Sequence, residues 1–126
     1  MRITALYAGL LALLFVFLSV HVIRRRLAKM VSLGDGGDAE LSRRIRVHGN
    51  FAEYVPLGLI LIGLSENLGA PGMLVHALGL ALLLGRVSHA WGLSPVNEMQ
   101  AFRSVGMVLT FAVLLVGAGT CLVRAF

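Results

Sequence analysis

The stretch ITALYAGLLALLFVFLSVHVI, residues 3–23, decides the fold: it runs 21 residues without a formally charged side chain and stops at Arg24-Arg25-Arg26. As a helix rising 1.5 Å per residue it reaches roughly 31 Å, the thickness of a bilayer hydrocarbon core. It reads as a membrane span rather than a signal sequence. A signal's apolar region covers about 7–15 residues and leads to a small-residue cleavage site, not to three arginines.

Three further stretches repeat the pattern. Residues 46–66 are polar for two turns and apolar from Val55 to Leu64, with Pro56 expected to kink the helix because it removes the bond to the Ala52 carbonyl. Residues 72–91 carry no charge before Arg86, and residues 104–123 none at all before Arg124. Between the first two spans, Ser32-Leu33-Gly34-Asp35-Gly36-Gly37-Asp38 lacks the Lys-Ser/Thr ending of a phosphate-binding loop, so it reads as a turn with Asp38 as N-cap. Leu68-Gly69-Ala70-Pro71-Gly72 is a tight turn by composition, and Ser94-Pro95 suits the start of a short helix. Short connections make neighbours antiparallel. The expected fold is an all-α integral membrane protein, a single domain over residues 1–126 built as an up-down-up-down bundle of four transmembrane helices.

Composition agrees: 58% of the 126 residues are hydrophobic and 13% charged, with a mean hydropathy of +0.89, whereas soluble domains carry about 25% charged residues. A net charge of +5 and a pI near 10.7 would suggest nucleic acid in a soluble chain. Here the charges report topology. Arg24, Arg25, Arg26, Lys29, Arg43, Arg44, Arg46, Arg86 and Arg103 surround the first and third connections, against Arg2 and Arg124 at the other side. The positive-inside rule then puts connections one and three in the cytoplasm and both termini outside. Most of this charge serves orientation and contact with anionic membrane lipids, and no nucleic-acid partner is required.

Polar side chains inside spans mark functional positions. Arg46, Asn50 and Glu53, spaced i, i+4, i+7, share one helical face, and Tyr54 extends the stripe. Such a stripe is either interhelical glue or a pocket for a zwitterionic, mostly anionic small molecule. His48 lies about 200° from Arg46 and reads as interfacial, while Arg86 and His89, i and i+3, either face a shared cavity or snorkel to the interface. Arg103-Ser104 opens the fourth span, where Arg103 is either a membrane anchor or, with the helix-start amides and the Ser104 hydroxyl, a site that favours an anion such as a thiolate. His21, His76 and the single Cys121 have no companions at metal-ligand spacing, so no metal site is expected.

The segment Arg46-Val47-His48-Gly49-Asn50-Phe51-Ala52-Glu53-Tyr54-Val55-Pro56 resembles the second-helix signature of the MAPEG family, the membrane-associated proteins in eicosanoid and glutathione metabolism. Gly85-Arg86-Val87-Ser88-His89 is similar to the end of the third helix in the prostaglandin E synthase branch, and Arg103-Ser104 to the start of the fourth. Val31-Ser32-Leu33-Gly34-Asp35-Gly36-Gly37 is similar to the small bacterial members, which implies a bacterial inner membrane. The resemblance runs the whole length. It implies a homotrimer binding glutathione between subunits near the cytoplasmic face. By that likeness Arg24 and Arg46 hold the glutathione carboxylates, Asn50 its backbone and Glu53 its amino group. Tyr54 and His89 line the cleft, and Arg103 and Ser104 approach the thiol as the catalytic pair. Two positions depart from the pattern: Gly49 stands where the prostaglandin branch has a further arginine, and Leu93 where relatives have a tyrosine.

The expected function is a glutathione-dependent transferase or peroxidase for lipophilic electrophiles or hydroperoxides arriving from the bilayer. The alternative is a non-catalytic glutathione- or lipid-binding trimer of the same fold. A small four-helix exporter fits the length but not the lack of an acidic residue inside span one.

Overall fold

The computed structural model describes residues 1–94, 97 and 99–126. Four helices follow one another, α1 (Arg2–Lys29), α2 (Ala39–Asn67), α3 (Gly72–Leu93) and α4 (Gln100–Arg124), with no strand among the described residues. Each is long and apolar enough to cross a membrane. The four expected spans fall inside them. The helices are longer than the spans because a helix need not end where the hydrocarbon does: α1 carries on through Arg24–26, and α2 begins seven residues before Arg46. At Pro56 α2 continues unbroken.

The ends are set by local chemistry. At the C-terminus of α1, Met30 takes the left-handed conformation (φ 54°), its amide bonding Leu27 O and the Val31 amide bonding Arg26 O, which closes the last turn. Asp38 then caps α2 as expected, its carboxylate accepting the Leu41 amide at 2.7 Å. The same carboxylate receives Arg25 in a two-point contact, 3.1 Å from Nε and 2.9 Å from Nη2, which ties the end of α1 to the start of α2. Gly69, at φ 77°, ends α2 in the position that favours glycine, and the Ala70 amide reaches back to Ser65 O at 3.0 Å. The Ser94 hydroxyl donates to Ala90 O at the close of α3. Pro95, the other half of the expected helix start, lies outside the described residues.

At the opposite end of the bundle α1 has no capping side chain of its own. Glu66, from the last turn of α2, supplies one by accepting the amides of Ile3 (3.1 Å) and Thr4 (2.8 Å) and the Thr4 hydroxyl (2.6 Å). The core runs between the helices through Leu11 and Leu18 of α1, Val47, Val55 and Ile62 of α2, Val75 and Leu82 of α3, and Val113 of α4. Outside it, Leu13, Val108 and Leu115 are 66–75% exposed, side chains that only lipid or another apolar surface can cover. Helix α4 packs on α3 and α2 but not on α1.

The α3–α4 pairing is the tightest, and glycines allow it. A Cβ on Gly106 would approach the Gly85 carbonyl and the His89 amide to within 2.7 Å, and one on Gly92 would stand 2.6 Å from the Arg103 amide. Small residues in such a seam let backbones approach where no hydrophobic effect drives helices together.

Candidate functional site

The polar stripe of α2 meets the glycine seam at the end of the bundle that carries the first and third connections. Arg86 sits at the crossing. It is 1% exposed and does not snorkel. Its Nη1 donates to Asn50 Oδ1 at 2.6 Å, and its Nη2 donates to Gly106 O at 3.2 Å and to the Thr110 hydroxyl. Its guanidinium carbon lies 5.8 Å from the Tyr54 ring centroid, and that ring meets Phe111 edge-on at 5.7 Å. A single cation thus links α2, α3 and α4. The spare lone pair of a backbone carbonyl, a hydroxyl and an amide oxygen surround a charge that would otherwise be costly to bury.

The geometry fixes the Asn50 amide. A guanidinium only donates, so the oxygen of Asn50 must face Arg86 and its NH₂ must point elsewhere. Asn50 is 5% exposed, and no partner for that NH₂ occurs among the described residues. One turn to either side on the same face, Arg46 and Glu53 pair at 3.2 Å with side chains 61% and 51% exposed. An exposed ion pair of this kind contributes only about 0–1 kcal/mol, so it is readily exchanged for a ligand's own charges.

His89 is 5% exposed, one turn after Arg86 and packed against Gly106. Arg46, Arg86 and Arg103 all lie within electrostatic range of its ring. Arg103 is half-buried in the first turn of α4 and Ser104 beside it is exposed. Their helix start is held to α3 by the Ser88 hydroxyl on Phe102 O (2.8 Å) and the Met99 amide on Gly92 O (2.9 Å).

Of the residues singled out in the sequence, Arg46, Asn50, Glu53, Tyr54, His89 and Arg103 therefore come together around one end of α2–α3–α4, with Ser104 at the edge. Arg24 does not join them. It is exposed on α1, which makes no contact with α4. Its neighbours are committed elsewhere, Arg25 to Asp38 and Arg26 to Gly34 O at 2.7 Å. His48 turns to α1, stacked on Phe15 at 4.7 Å and within 3.0 Å of the Ser19 hydroxyl, as its angle on the helix predicts. Gly49 has open space around it. No group of three metal-ligating side chains occurs among the described residues.

Arg86 is the residue that sequence reasoning undervalued, and Thr110 the one it missed. The available signal was the pair Gly85-Arg86 opposite Gly106 and Thr110, which are i, i+4 on α4: a gap for a guanidinium beside a hydroxyl able to receive it.

Comparison with known proteins places this arrangement. A family model described as the MAPEG family matches residues 4–123. The chain is also 41% identical over 113 residues to the inner membrane protein YecN of Escherichia coli strain K12, covering 90% of this chain and 85% of that protein. The same figures hold for its counterpart in Escherichia coli O6:H1. Matched along nearly its whole length, this four-helix membrane protein belongs to the MAPEG family.

Proposed function

We propose that the chain is a glutathione-dependent membrane transferase or peroxidase, working as a homotrimer in the inner membrane with connections one and three in the cytoplasm. The observation that carries this reading is the orientation of Asn50: Arg86 holds its oxygen, so its NH₂ is presented as a fixed donor between the exposed charges of Arg46 and Glu53. Those three groups match a zwitterionic peptide bearing two carboxylates and an ammonium. The positive charge of Arg46 and Arg86 against Glu53 suits a ligand that is net anionic.

Glutathione, when bound, supplies a thiol nucleophile. The chain's own part is positional and electrostatic. Arg46 takes a carboxylate as it releases Glu53, Glu53 takes the ammonium, and Asn50 donates to a peptide carbonyl. Arg103, in the first turn of α4, adds its charge to the helix-start amides and Ser104 adds a hydroxyl, so negative charge on sulfur is favoured there. Arg24, on the far side of its own subunit, reaches such a site from a neighbouring copy. A lipophilic electrophile or hydroperoxide enters from the bilayer.

A second reading, a glutathione- or lipid-binding trimer without thiol chemistry, draws on one observation. Leu93, at the position where relatives carry a tyrosine, is an apolar side chain only 5% exposed, so no phenol stands there to polarise sulfur. Glutathione titrated into the purified protein, followed by thiolate absorbance in the ultraviolet, separates the two. Thiolate formed at neutral pH and lost in Arg103→Ala but kept in Cys121→Ala supports the enzyme. Binding without thiolate supports the second reading, and no binding removes both as far as glutathione is concerned.

A further inference from the structure

Two side-chain polar atoms are buried without a hydrogen-bond partner among the described residues, and both are guanidinium Nε atoms, of Arg43 and of Arg86. In Arg86 the rest of the guanidinium is well used, on Asn50, Gly106 and Thr110. Arg43 is different. None of its five N–H groups donates to a described residue, and no described carboxylate pairs with it. Its neighbours are engaged, Arg44 with Glu40 and His21 O, Arg46 with Glu53. A buried donor left unpaired is costly and rare in native structures, so one that persists calls for an acceptor that the chain does not itself supply.

The placement of Arg43 says which acceptor. It precedes Asn50 by seven residues and Tyr54 by eleven, which sets it within about 20° of both round α2, on the face that meets Arg86 and Phe111. Arg44, next in sequence, faces α1 instead. Helices α2 and α3 run antiparallel, with Asn50 against Arg86 and Gly58 against Leu82, so seven residues towards the polar connections bring Arg43 level with Leu93. The start of α4 is tied to α3 at this same level, through the Met99 amide on Gly92 O. Arg43 therefore stands at the mouth of the α2–α3–α4 site, roughly 10 Å along the helix from Asn50. Round α2 the groups follow one path: Arg46 and Glu53 share an edge, Asn50 comes about 40° on from Arg46, and Arg43 about 20° further.

We propose that Arg43 takes the glycyl carboxylate of glutathione and is the residue by which this site selects the tripeptide over shorter or capped γ-glutamyl thiols. The inference rests on the glutathione reading and deepens it. The carboxylate and ammonium of the glutamyl end share one carbon, and Arg46 and Glu53, 3.2 Å apart, match them as a pair. That pair has nothing left for the second carboxylate. An extended tripeptide reaches about 10 Å, the rise from Asn50 to Arg43, so with its first peptide carbonyl on Asn50 its far end comes to the level of Arg43. A guanidinium with no contact inside the chain offers a terminal carboxylate the two parallel N–H groups that it accepts best. Arg24, where a neighbouring copy brings it, then joins Arg46 at the glutamyl end.

The test compares S-methylglutathione with its glycyl ethyl ester, by isothermal titration of the full-length protein in detergent. Methylation keeps thiol ionisation out of the measurement, and the ester removes one charge at the glycyl end alone. The acid should bind about tenfold more tightly than the ester, the gain of one charge-assisted contact. Arg43→Gln should bring the acid down to the ester's level and leave the ester's affinity unchanged, which also shows that the variant is folded. Arg46→Gln, at the glutamyl end, should weaken acid and ester by the same factor. Acid and ester binding alike to the native protein overturn the assignment, as does an acid preference that survives Arg43→Gln or is abolished by Arg46→Gln. In each of those cases glutathione binding itself stands. If neither compound binds the native protein, the glutathione reading falls and the assignment of Arg43 falls with it.

Discussion

Arg86 and Asn50 illustrate how one buried pair can be unequal. Arg86→Met roughly keeps the volume and removes the donors; Gly106 O still accepts from the Thr110 hydroxyl at 2.8 Å, so the main group left unpaired is the Asn50 oxygen. The expected cost is about 1–3 kcal/mol. Asn50→Leu instead leaves a buried guanidinium one hydrogen bond short, and because the stranded group is charged it should cost about 1.5–3 kcal/mol, towards the upper end of that range. The double variant should be more stable than the sum of the two by about 1–3 kcal/mol, which a double-mutant cycle on unfolding in mixed detergent measures. Nearer the surface, Asp38 lies partly buried in the connection before α2, where the Arg25 guanidinium and then the Leu41 amide hold its carboxyl down from 3.8 to about 2. A depressed carboxylate stabilises the fold above its unfolded value and loses that contribution as pH falls through the folded one. Thermal unfolding followed from pH 6 downward should therefore show stability falling between about pH 4 and pH 2. Asp38→Asn, which can still cap α2 but cannot pair with Arg25, should flatten that fall.

Among the elements, α3 and α4 depend on backbone approach. Gly106→Ala puts a Cβ against the Gly85 carbonyl and the His89 amide, neither of which is the yielding tip of a side chain. The helices must separate, at an expected cost of about 1–3 kcal/mol. Gly9→Ala, with nothing within 4 Å, should be neutral or gain up to about 1 kcal/mol from helix propensity. Circular dichroism of both variants in mixed detergent checks the contrast, and equal effects would remove the seam as the cause. The helices themselves were legible in the sequence because length and apolarity are local properties: residues 3–23 declare a span without reference to anything else. Helix ends were less so, since α1 and α2 run past the apolar stretch into Arg24–26 and residues 39–45. The α2 face of Arg46, Asn50 and Glu53 was legible from spacing. The depth of Arg86 was not, because it depends on Gly106 and Thr110 some 20 residues away, and nothing in its own neighbourhood distinguishes a snorkelling arginine from a buried one.

For the molecule as a whole, the placement of Arg24 makes a demand. It sits on α1, and α1 does not touch α4, so within one subunit Arg24 and Arg103 stand on helices that do not pack together. If both hold glutathione, as the proposed function has it, each site is built from two copies. Binding then becomes a property of pairs and can be read by mixing. A chain with Arg24→Ala lacks one half of the site, a chain with Glu53→Gln lacks the other, and each alone should bind glutathione poorly. Co-expressed in equal amounts, they assemble at random, and a given site is intact only when one neighbour supplies Arg24 and the other Glu53. Each condition is met half the time, so about one quarter of the sites should regain native affinity in any closed ring with heterologous contacts. Isothermal titration of the co-purified mixture gives that fraction as a stoichiometry. A site contained within one subunit predicts none at all, since every chain in the mixture carries a defect. The same mixture made with Arg25→Ala in place of Arg24→Ala is the internal comparison. Arg25 is already committed to Asp38 and Glu40 in its own subunit, so that variant should lose stability rather than binding, and mixing should leave close to half of the sites intact.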